Sequence, residues 1–169
     1  MESHMIRRSF LALAAASALA ACGPKKGADA AANIDAGKAF LAKNAKEPGV
    51  VVLPSGLQYK VVRSGAPEGL RPHKGDEMKV NYEGKLLSGA VFDSSYERGV
   101  PAAMPIDALI PGWIEALQLM HPGDEWILYI PSKLGYGDEG QGQIPPGSTL
   151  IFRIELIGVL PGPGHIGQG

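Results

Sequence analysis

The side chains that could do chemistry in this 169-residue chain are mostly aromatic, with few nucleophiles or bases. The sequence has no Gly-x-Ser-x-Gly elbow, no phosphate-binding P-loop and no dinucleotide-binding glycine pattern. No His, Cys and acidic residues recur at metal-ligand spacing. The four histidines are scattered: His4, His73, His121 and His165. If the protein is an enzyme, we expect its reaction to need no nucleophile with a partner base, no metal and no other cofactor.

The aromatic residue in the most unusual setting is Trp113, within the segment LIPGWIEALQLM at residues 109–120. Pro111 suits the first turn of a helix, because it has no amide hydrogen to leave unpaired and its φ is preset. Trp113, Leu117 and Met120 then recur at roughly helical spacing, and His-Pro-Gly ends the pattern. The segment predicts a short helix over residues 111–120 with an indole in its first turn. Taken alone, this indole could be an ordinary core residue.

Four segments have the pattern of β-strands: residues 57–61, 76–86, 125–130 and 148–159. The second alternates cleanly, because Met78, Val80 and Tyr82 fall on one face and charged or polar residues fall on the other. Phe152 has a similar inward position in the last segment, so Tyr82 and Phe152 could also be plain core residues. A half-buried antiparallel sheet needs a cover, and the helix at 111–120 supplies one. The domain predicted over residues 49–160 is therefore α+β.

The N-terminus has the features of an export signal. MESHM at residues 1–5 looks like a cloning remnant; Arg7 and Arg8 follow, then an apolar run over residues 10–21 that is too short to span a bilayer. Cys22 is the chain's only cysteine, and LAAC at residues 19–22 resembles a bacterial lipobox. This resemblance implies removal of residues 1–21, lipid attachment at Cys22, and a periplasm-facing place in the bacterial envelope. Gly23, in place of Asp, favours the outer membrane under the retention rule of enteric bacteria.

The remaining segments predict the domain boundaries. Residues 22–33 are small and polar and predict a flexible tether, whereas residues 34–48 predict one short helix ended by Pro48-Gly49. This helix is too short for a dimerising coiled coil, so we expect a monomer that contacts the membrane through its lipid anchor only. Residues 161–169 predict a disordered tail. The net charge of −1 and the lack of any Lys/Arg cluster longer than two argue against a nucleic-acid partner.

Five motifs together resemble the FKBP-type peptidyl-prolyl cis-trans isomerases. VNYEGKL, VFDSSYERG, LIPGW, LGYG and IPPGSTLIFRIELI occur in the order and spacing of that family, over about residues 57–159. Other stretches resemble its bacterial envelope branch, which includes the macrophage-infectivity-potentiator proteins, but their long dimerising helix is missing. The resemblance implies an antiparallel half-barrel sheet of about five strands wrapped around one short helix. It also implies isomerisation of X-Pro bonds in proline-containing polypeptides, in support of envelope protein folding.

The resemblance also implies roles for individual residues. Trp113 would form the floor of a prolyl pocket, the backbone N–H of Ile110 and the hydroxyl of Tyr136 would hold substrate carbonyls, and Asp93 would orient Tyr82 or polarise the pocket. Rapamycin-type macrolides would be inhibitors. Ala102, Met104 and Gly140 depart from better-known members, which bears on substrate preference and macrolide affinity. The implied catalytic residues are Tyr82, Phe92, Asp93, Tyr136 and Phe152, and the implied substrate-binding residues are Leu109, Ile110, Trp113 and Ile144.

A second interpretation uses the same fold differently. The pocket could dock proline-containing segments without useful turnover, as in a binding module or a holdase chaperone. The complete aromatic set, together with Asp93, favours an enzyme. The loop after Tyr136 also lacks the large insertion typical of chaperone-dominated relatives.

Overall fold

The computed structural model of the protein describes residues 26–162. This part of the chain contains three α-helices, two short 3-10 helices and seven strands. The helices are α1 (Lys26–Asn44), α2 (Ser95–Arg98) and α3 (Pro111–Leu117). The strands are β1 (Val50–Val52), β2 (Gln58–Arg63), β3 (Glu77–Leu86), β4 (Val91–Ser94), β5 (Ala102–Pro105), β6 (Glu125–Ile130) and β7 (Leu150–Leu160).

The strands form one antiparallel sheet in the order β1-β2-β6-β7-β3-β4, and β5 pairs with the first half of β3. The two longest strands, β3 and β7, lie side by side over their whole length, from Glu77 opposite Leu160 to Leu86 opposite Leu150. The predicted α+β class and antiparallel sheet are confirmed.

The core lies between the inner face of the sheet and α3. Met78, Val80 and Tyr82 are buried as their alternation on β3 predicts, and so are the inward residues of β7. α3 buries Trp113, Ala116 and Leu117 against them, and Pro111 opens the helix as predicted. Gly112 allows α3 to approach β6 closely, since a Cβ on Gly112 would lie 2.7 Å from Cγ2 of Ile130.

The sheet has seven strands, where about five were expected. The additional strands, β1, β4 and β5, are three or four residues long, too short for alternation to mark them in the sequence. β1 pairs with β2, and both β4 and β5 pair with β3. Asp93 on β4 and Met104 on β5 both line the cavity described below. Between β4 and β5 the chain also forms the one-turn helix α2.

Both ends of the described chain are more ordered than expected. α1 begins at Lys26, so residues 26–33 of the expected tether are helical. Alanine has the highest helix propensity, and Ala30 is buried against the domain. α1 ends at Asn44, earlier than the predicted limit of residue 48. In the expected tail, the N–H of Gly162 donates to Oδ1 of Asp76 at 2.9 Å. Residues 1–25, including Cys22, and residues 163–169 lie outside the described residues.

Between residues 26 and 162, no helix is both long enough and apolar enough to cross a membrane.

Candidate active site

An open cavity of about 270 Å³ lies at one end of the sheet, between β3, β7 and α3. Such a volume is close to the lower end for small-ligand sites. The cavity is bounded mainly by rings and aliphatic side chains. Its lining residues are Tyr82, Asp93, Met104, Ala108, Leu109, Ile110, Trp113, Tyr136, Gln141 and Phe152.

Four aromatic rings pack against one another on one side of this cavity. The ring of Trp113 meets those of Tyr82 and Phe152 edge-on, at centroid distances of 5.2 and 5.1 Å. Phe92 packs behind Phe152 at 5.5 Å, also edge-on. Gly84 makes this possible, because a Cβ there would lie 2.6 Å from atoms of both phenylalanine rings. Edge-to-face contacts are a favoured arrangement of aromatic rings, so the packing of these rings on one another shapes the apolar walls.

A hydrogen-bonded triad lies at the cavity rim. The hydroxyl of Tyr82 donates to Oδ2 of Asp93 at 2.5 Å. Arg98 donates to the same hydroxyl at 2.9 Å and pairs with the other oxygen of Asp93. The one-turn helix α2 places Arg98 here: the side chain of Ser94 caps its N-terminus, and Gly99 ends it with a φ of 72°.

Burial at the cavity and hydrogen bonds within the triad shift the pKa values of Tyr82, Asp93 and Tyr136. Burial raises the pKa of Tyr82, and its hydrogen bond to Asp93 adds to this effect. Burial alone would raise the pKa of Asp93, but the hydrogen bonds from Tyr82 and Arg98 outweigh it and the pKa lies below its usual value. Burial, and then the charge of Asp93, raise the pKa of Tyr136. At neutral pH the rim therefore has one ionised carboxylate, paired with Arg98, and two neutral phenols.

At the cavity, the backbone N–H of Ile110 and the hydroxyl of Tyr136 have no hydrogen-bond acceptor among residues 26–162. Ile110 precedes α3, and its carbonyl accepts from Trp113 and Ile114, but its N–H has no acceptor there. The hydroxyl of Tyr136 likewise has no partner within this part of the chain. Both residues line the cavity. Since polar groups in folded proteins are normally paired, these two donors are available to acceptors of a bound ligand.

The indole N–H of Trp113 is different, although it too lacks a partner among the described residues. Its nitrogen has almost no accessible surface. Trp113 can therefore contribute an apolar ring surface to a ligand and no hydrogen bond.

The structure brings most of the predicted site residues together. Tyr82, Asp93, Leu109, Ile110, Trp113, Tyr136 and Phe152 all line the cavity. Phe92 and Ile144 do not: Phe92 packs against Phe152, and Ile144, on the same loop as Gln141, is buried in the core cluster. Their predicted contact with substrate stays a prediction.

The sequence interpretation missed Arg98, Ala108 and Gln141 as site residues. Arg98 had a usable signal, because Ser94 followed three residues later by Glu97 is the spacing of a capping box and predicts a helical turn ending near Arg98. Ala108 and Gln141 carry no such signal, since they reach the cavity through loop conformation. Met104 lines the cavity at a position already noted for its departure from a common phenylalanine.

Within residues 26–162, no group of three or more His, Cys, Asp or Glu side chains could hold a metal ion. The two histidines of this part of the chain, His73 and His121, do not line the cavity.

The sequence matches two known protein families. Residues 69–157 match the family described as FKBP-type peptidyl-prolyl cis-trans isomerase. Residues 7–61 match a domain described as amino terminal to that isomerase. The chain belongs to the FKBP-type peptidyl-prolyl cis-trans isomerase family.

Individual relatives are similar over most of this chain. Peptidyl-prolyl cis-trans isomerase Mip of Coxiella burnetii is 49% identical over 128 residues, which cover 75% of this chain and 55% of that protein. Outer membrane protein MIP of Legionella longbeachae is 49% identical, covering 73% of this chain and 52% of that protein. The crystal structure of FkpA from Escherichia coli matches with a TM-score of 0.79 and 45% identity, over 82% of this chain and 64% of that one. This chain thus spans about half the length of the curated relatives it matches.

Proposed function

We propose that the protein is a peptidyl-prolyl cis-trans isomerase that acts on proline-containing polypeptides and assists the folding of envelope proteins. The observation that carries the proposal is one cavity in which buried rings surround two unpaired donors, the N–H of Ile110 and the hydroxyl of Tyr136. The family membership supports the same activity.

The chemistry of the X-Pro bond matches this set of groups. The planar amide is stabilised by resonance, and rotation must cross a barrier of about 18–20 kcal/mol. Without a catalyst it takes tens to hundreds of seconds. The twisted transition state has lost the resonance, so its carbonyl is less polar and its nitrogen more basic. An apolar wall of Tyr82, Trp113 and Phe152 disfavours the polar planar amide more than the twisted one.

The two donors then fix the substrate on either side of the rotating bond. The N–H of Ile110 and the hydroxyl of Tyr136 donate to substrate carbonyls and hold the chain while the prolyl ring rests on Trp113. The hydroxyl of Tyr82 is already engaged with Asp93 and Arg98, so Tyr82 contributes its ring. No proton moves, and the site needs no general base.

A peptide assay tests this proposal. The purified protein should accelerate cis-to-trans conversion of a short X-Pro peptide well above the uncatalysed rate, measured by exchange NMR without a coupling protease. Rapamycin should inhibit it, because the macrolide would occupy the same cavity. Binding of the peptide without acceleration would favour the rival interpretation, a proline-binding module or holdase. Absence of both binding and acceleration would exclude both functions.

We place the protein in the bacterial envelope, and the names of relatives such as outer membrane protein MIP support this location. The finer proposal is a monomer held at the outer membrane by a lipid on Cys22. Cys22→Ala should move the protein from the membrane fraction to the soluble periplasmic fraction of its host, with isomerase activity unchanged. Wild-type protein found wholly in the soluble fraction would contradict the anchor.

A further inference from the structure

The N-terminal helix α1 is tied to the loop that follows Tyr136. We call residues 135–149 the pocket loop. Asn33 of α1 donates from Nδ2 to the carbonyl of Pro146 at 2.8 Å. One turn away, a Cβ on Gly147 would lie 2.4 Å from the carbonyl oxygen of Ala30, so helix and loop backbones are in direct contact. Gly37 approaches as closely, since a Cβ there would lie 2.1 Å from Oγ1 of Thr149.

These contacts come from one side of the helix. Ala30, Asn33 and Gly37 are spaced at i, i+3 and i+7, which places them on one face of an α-helix. The opposite face carries Asp35 and Lys38, which pair with each other and have side chains more than 70% exposed. α1 therefore presents a dedicated surface to the pocket loop.

The pocket loop passes this contact on to the cavity. The N–H of Gly147 donates to the carbonyl of Gly137 at 2.9 Å, which joins the residue that touches α1 to the neighbour of Tyr136. Within the loop, Gln141 and Ile144 exchange two backbone hydrogen bonds, of 2.9 and 2.8 Å. Tyr136 and Gln141 line the cavity. A displacement at residues 146–147 would therefore act, through one hydrogen bond, on the backbone next to Tyr136.

α1 adds little to the core of the domain. Among its residues from 29 to 44, Ala30 is the one buried apolar side chain. The helix lies within residues 7–61, which match the domain amino terminal to the isomerase, and outside residues 69–157. Its contacts with the pocket loop are therefore poorly explained as core packing.

We propose that α1 is a positioning element of the site: through Asn33, Ala30 and Gly37 it braces the pocket loop and holds Tyr136 and Gln141 against the cavity. This inference rests on the proposed isomerase function. Without the brace the loop samples more conformations, and a substrate must order it on binding. The loss should therefore appear in KM and in peptide affinity, while kcat is retained because the bound loop regains its geometry.

The test compares two variants of the full chain with a control. Asn33→Ala removes the hydrogen bond to Pro146 but favours the helix, and Asn33→Asp keeps the size while replacing the donor with an acceptor. Asp35→Ala changes the exposed face of the same helix and serves as the control. Hydrogen exchange by mass spectrometry would follow residues 137–147 against β6 and β7, and steady-state kinetics would follow KM and kcat.

We expect both Asn33 variants to speed exchange in residues 137–147 and to raise KM, each roughly threefold to tenfold, as for loss of one hydrogen bond. Exchange in β6 and β7, kcat and the Asp35→Ala control should remain within twofold of wild type. Unchanged exchange in residues 137–147 would overturn the brace. Faster exchange with an unchanged KM would overturn its link to the site. An inactive wild-type protein would count against the proposed function alone, and exchange would still decide whether the brace exists.

Discussion

The hydroxyl of Tyr82 donates a 2.5 Å hydrogen bond to Oδ2 of Asp93. Asp93 thereby fixes the tilt of a ring that forms one wall of the cavity, and Arg98 holds the pair from the solvent side. Of the two roles that the family resemblance left open for Asp93, the geometry supports orientation of Tyr82.

Asp93→Asn tests this relationship. The amide keeps the shape but loses the charge that attracts Arg98 and the stronger acceptor for Tyr82. We expect kcat/KM to fall about fivefold, from a loss of about 1 kcal/mol in a partly exposed hydrogen-bonded pair. The free energy of unfolding should change by less than about 1 kcal/mol, because the ion pair is exposed.

The control for Asp93→Asn is Glu83→Gln, which weakens the ion pair with Lys85, a somewhat less exposed pair whose residues do not line the cavity. Its kcat/KM should equal that of wild type. If both variants lose activity alike, the effect of Asp93 is not specific to the site.

Tyr136→Phe separates the free hydroxyl from the ring that carries it. The hydroxyl has no partner among the described residues, so its removal should leave the thermal midpoint within about 1 °C. If it donates to a substrate carbonyl, kcat/KM should fall roughly threefold to tenfold, the usual value of one neutral hydrogen bond. Tyr129→Phe removes a phenol on β6 that does not line the cavity and should have no effect on kcat/KM. Full activity of Tyr136→Phe would remove this hydroxyl from the mechanism.

Fluorescence can report directly on the cavity floor. Trp113 borders the cavity, whereas Trp126 is stacked on Tyr59 at 4.2 Å and does not line it. An X-Pro peptide or rapamycin should therefore change the emission of Trp113 alone. In Trp126→Phe, which keeps a ring against Tyr59, the change on titration should persist. A signal that disappears with Trp126 would place the ligand elsewhere.

The pH dependence of the reaction should be flat near neutrality. The pKa of Asp93 lies below its usual value of about 3.9, and the pKa values of Tyr82 and Tyr136 lie above about 10. Ionised Asp93 stabilises the folded protein at every pH above its unfolded-state pKa. This stabilisation is lost only as the pH falls through the lower folded-state pKa, so Asp93 stays ionised near neutrality. The stabilisation from the neutral phenols is lost only as the pH rises through their raised values. We expect kcat/KM to vary less than twofold between pH 5 and 9; a sigmoidal or bell-shaped profile in that window would reveal a titrating group that the site geometry lacks.

The parts of the fold that could be predicted are those with a repeating pattern. Alternation over β3 and β7 predicted which residues are buried, and Pro111 marked the start of α3. Short strands such as β4 have no room for a pattern and form only because β3 offers a partner edge. The helical start of α1 was missed because an alanine-rich segment was interpreted by its low complexity, although the same alanines favour a helix and Ala30 finds a buried position against the domain.

The site residues also divide into those that a sequence motif predicts and those that depend on the three-dimensional fold. The family motifs predicted its rings and Asp93 because these residues lie within five short ordered stretches of sequence. Arg98 needed the conformation of α2, and Gln141 needed the path of the pocket loop, neither of which any motif specifies. Phe92 is not among the residues that line the cavity and packs edge-on against Phe152, where the missing side chain of Gly84 leaves room for its ring, so its predicted role stays a prediction.

The pairing of β3 with β7 has a consequence for how the protein is made. Asn81 and Glu155, which are hydrogen-bonded across these strands, are 74 positions apart in the chain. β7 also pairs with β6 on its other side. Such non-local pairing slows folding, because a long loop must close, with a loss of chain entropy, before the contacts that offset this loss can form. A nascent chain short of residue 150 has neither Phe152 nor the strand that joins the two halves of the sheet, and it exposes apolar surface of the kind that leads to aggregation. The aromatic pocket can therefore form only after synthesis has passed through β7.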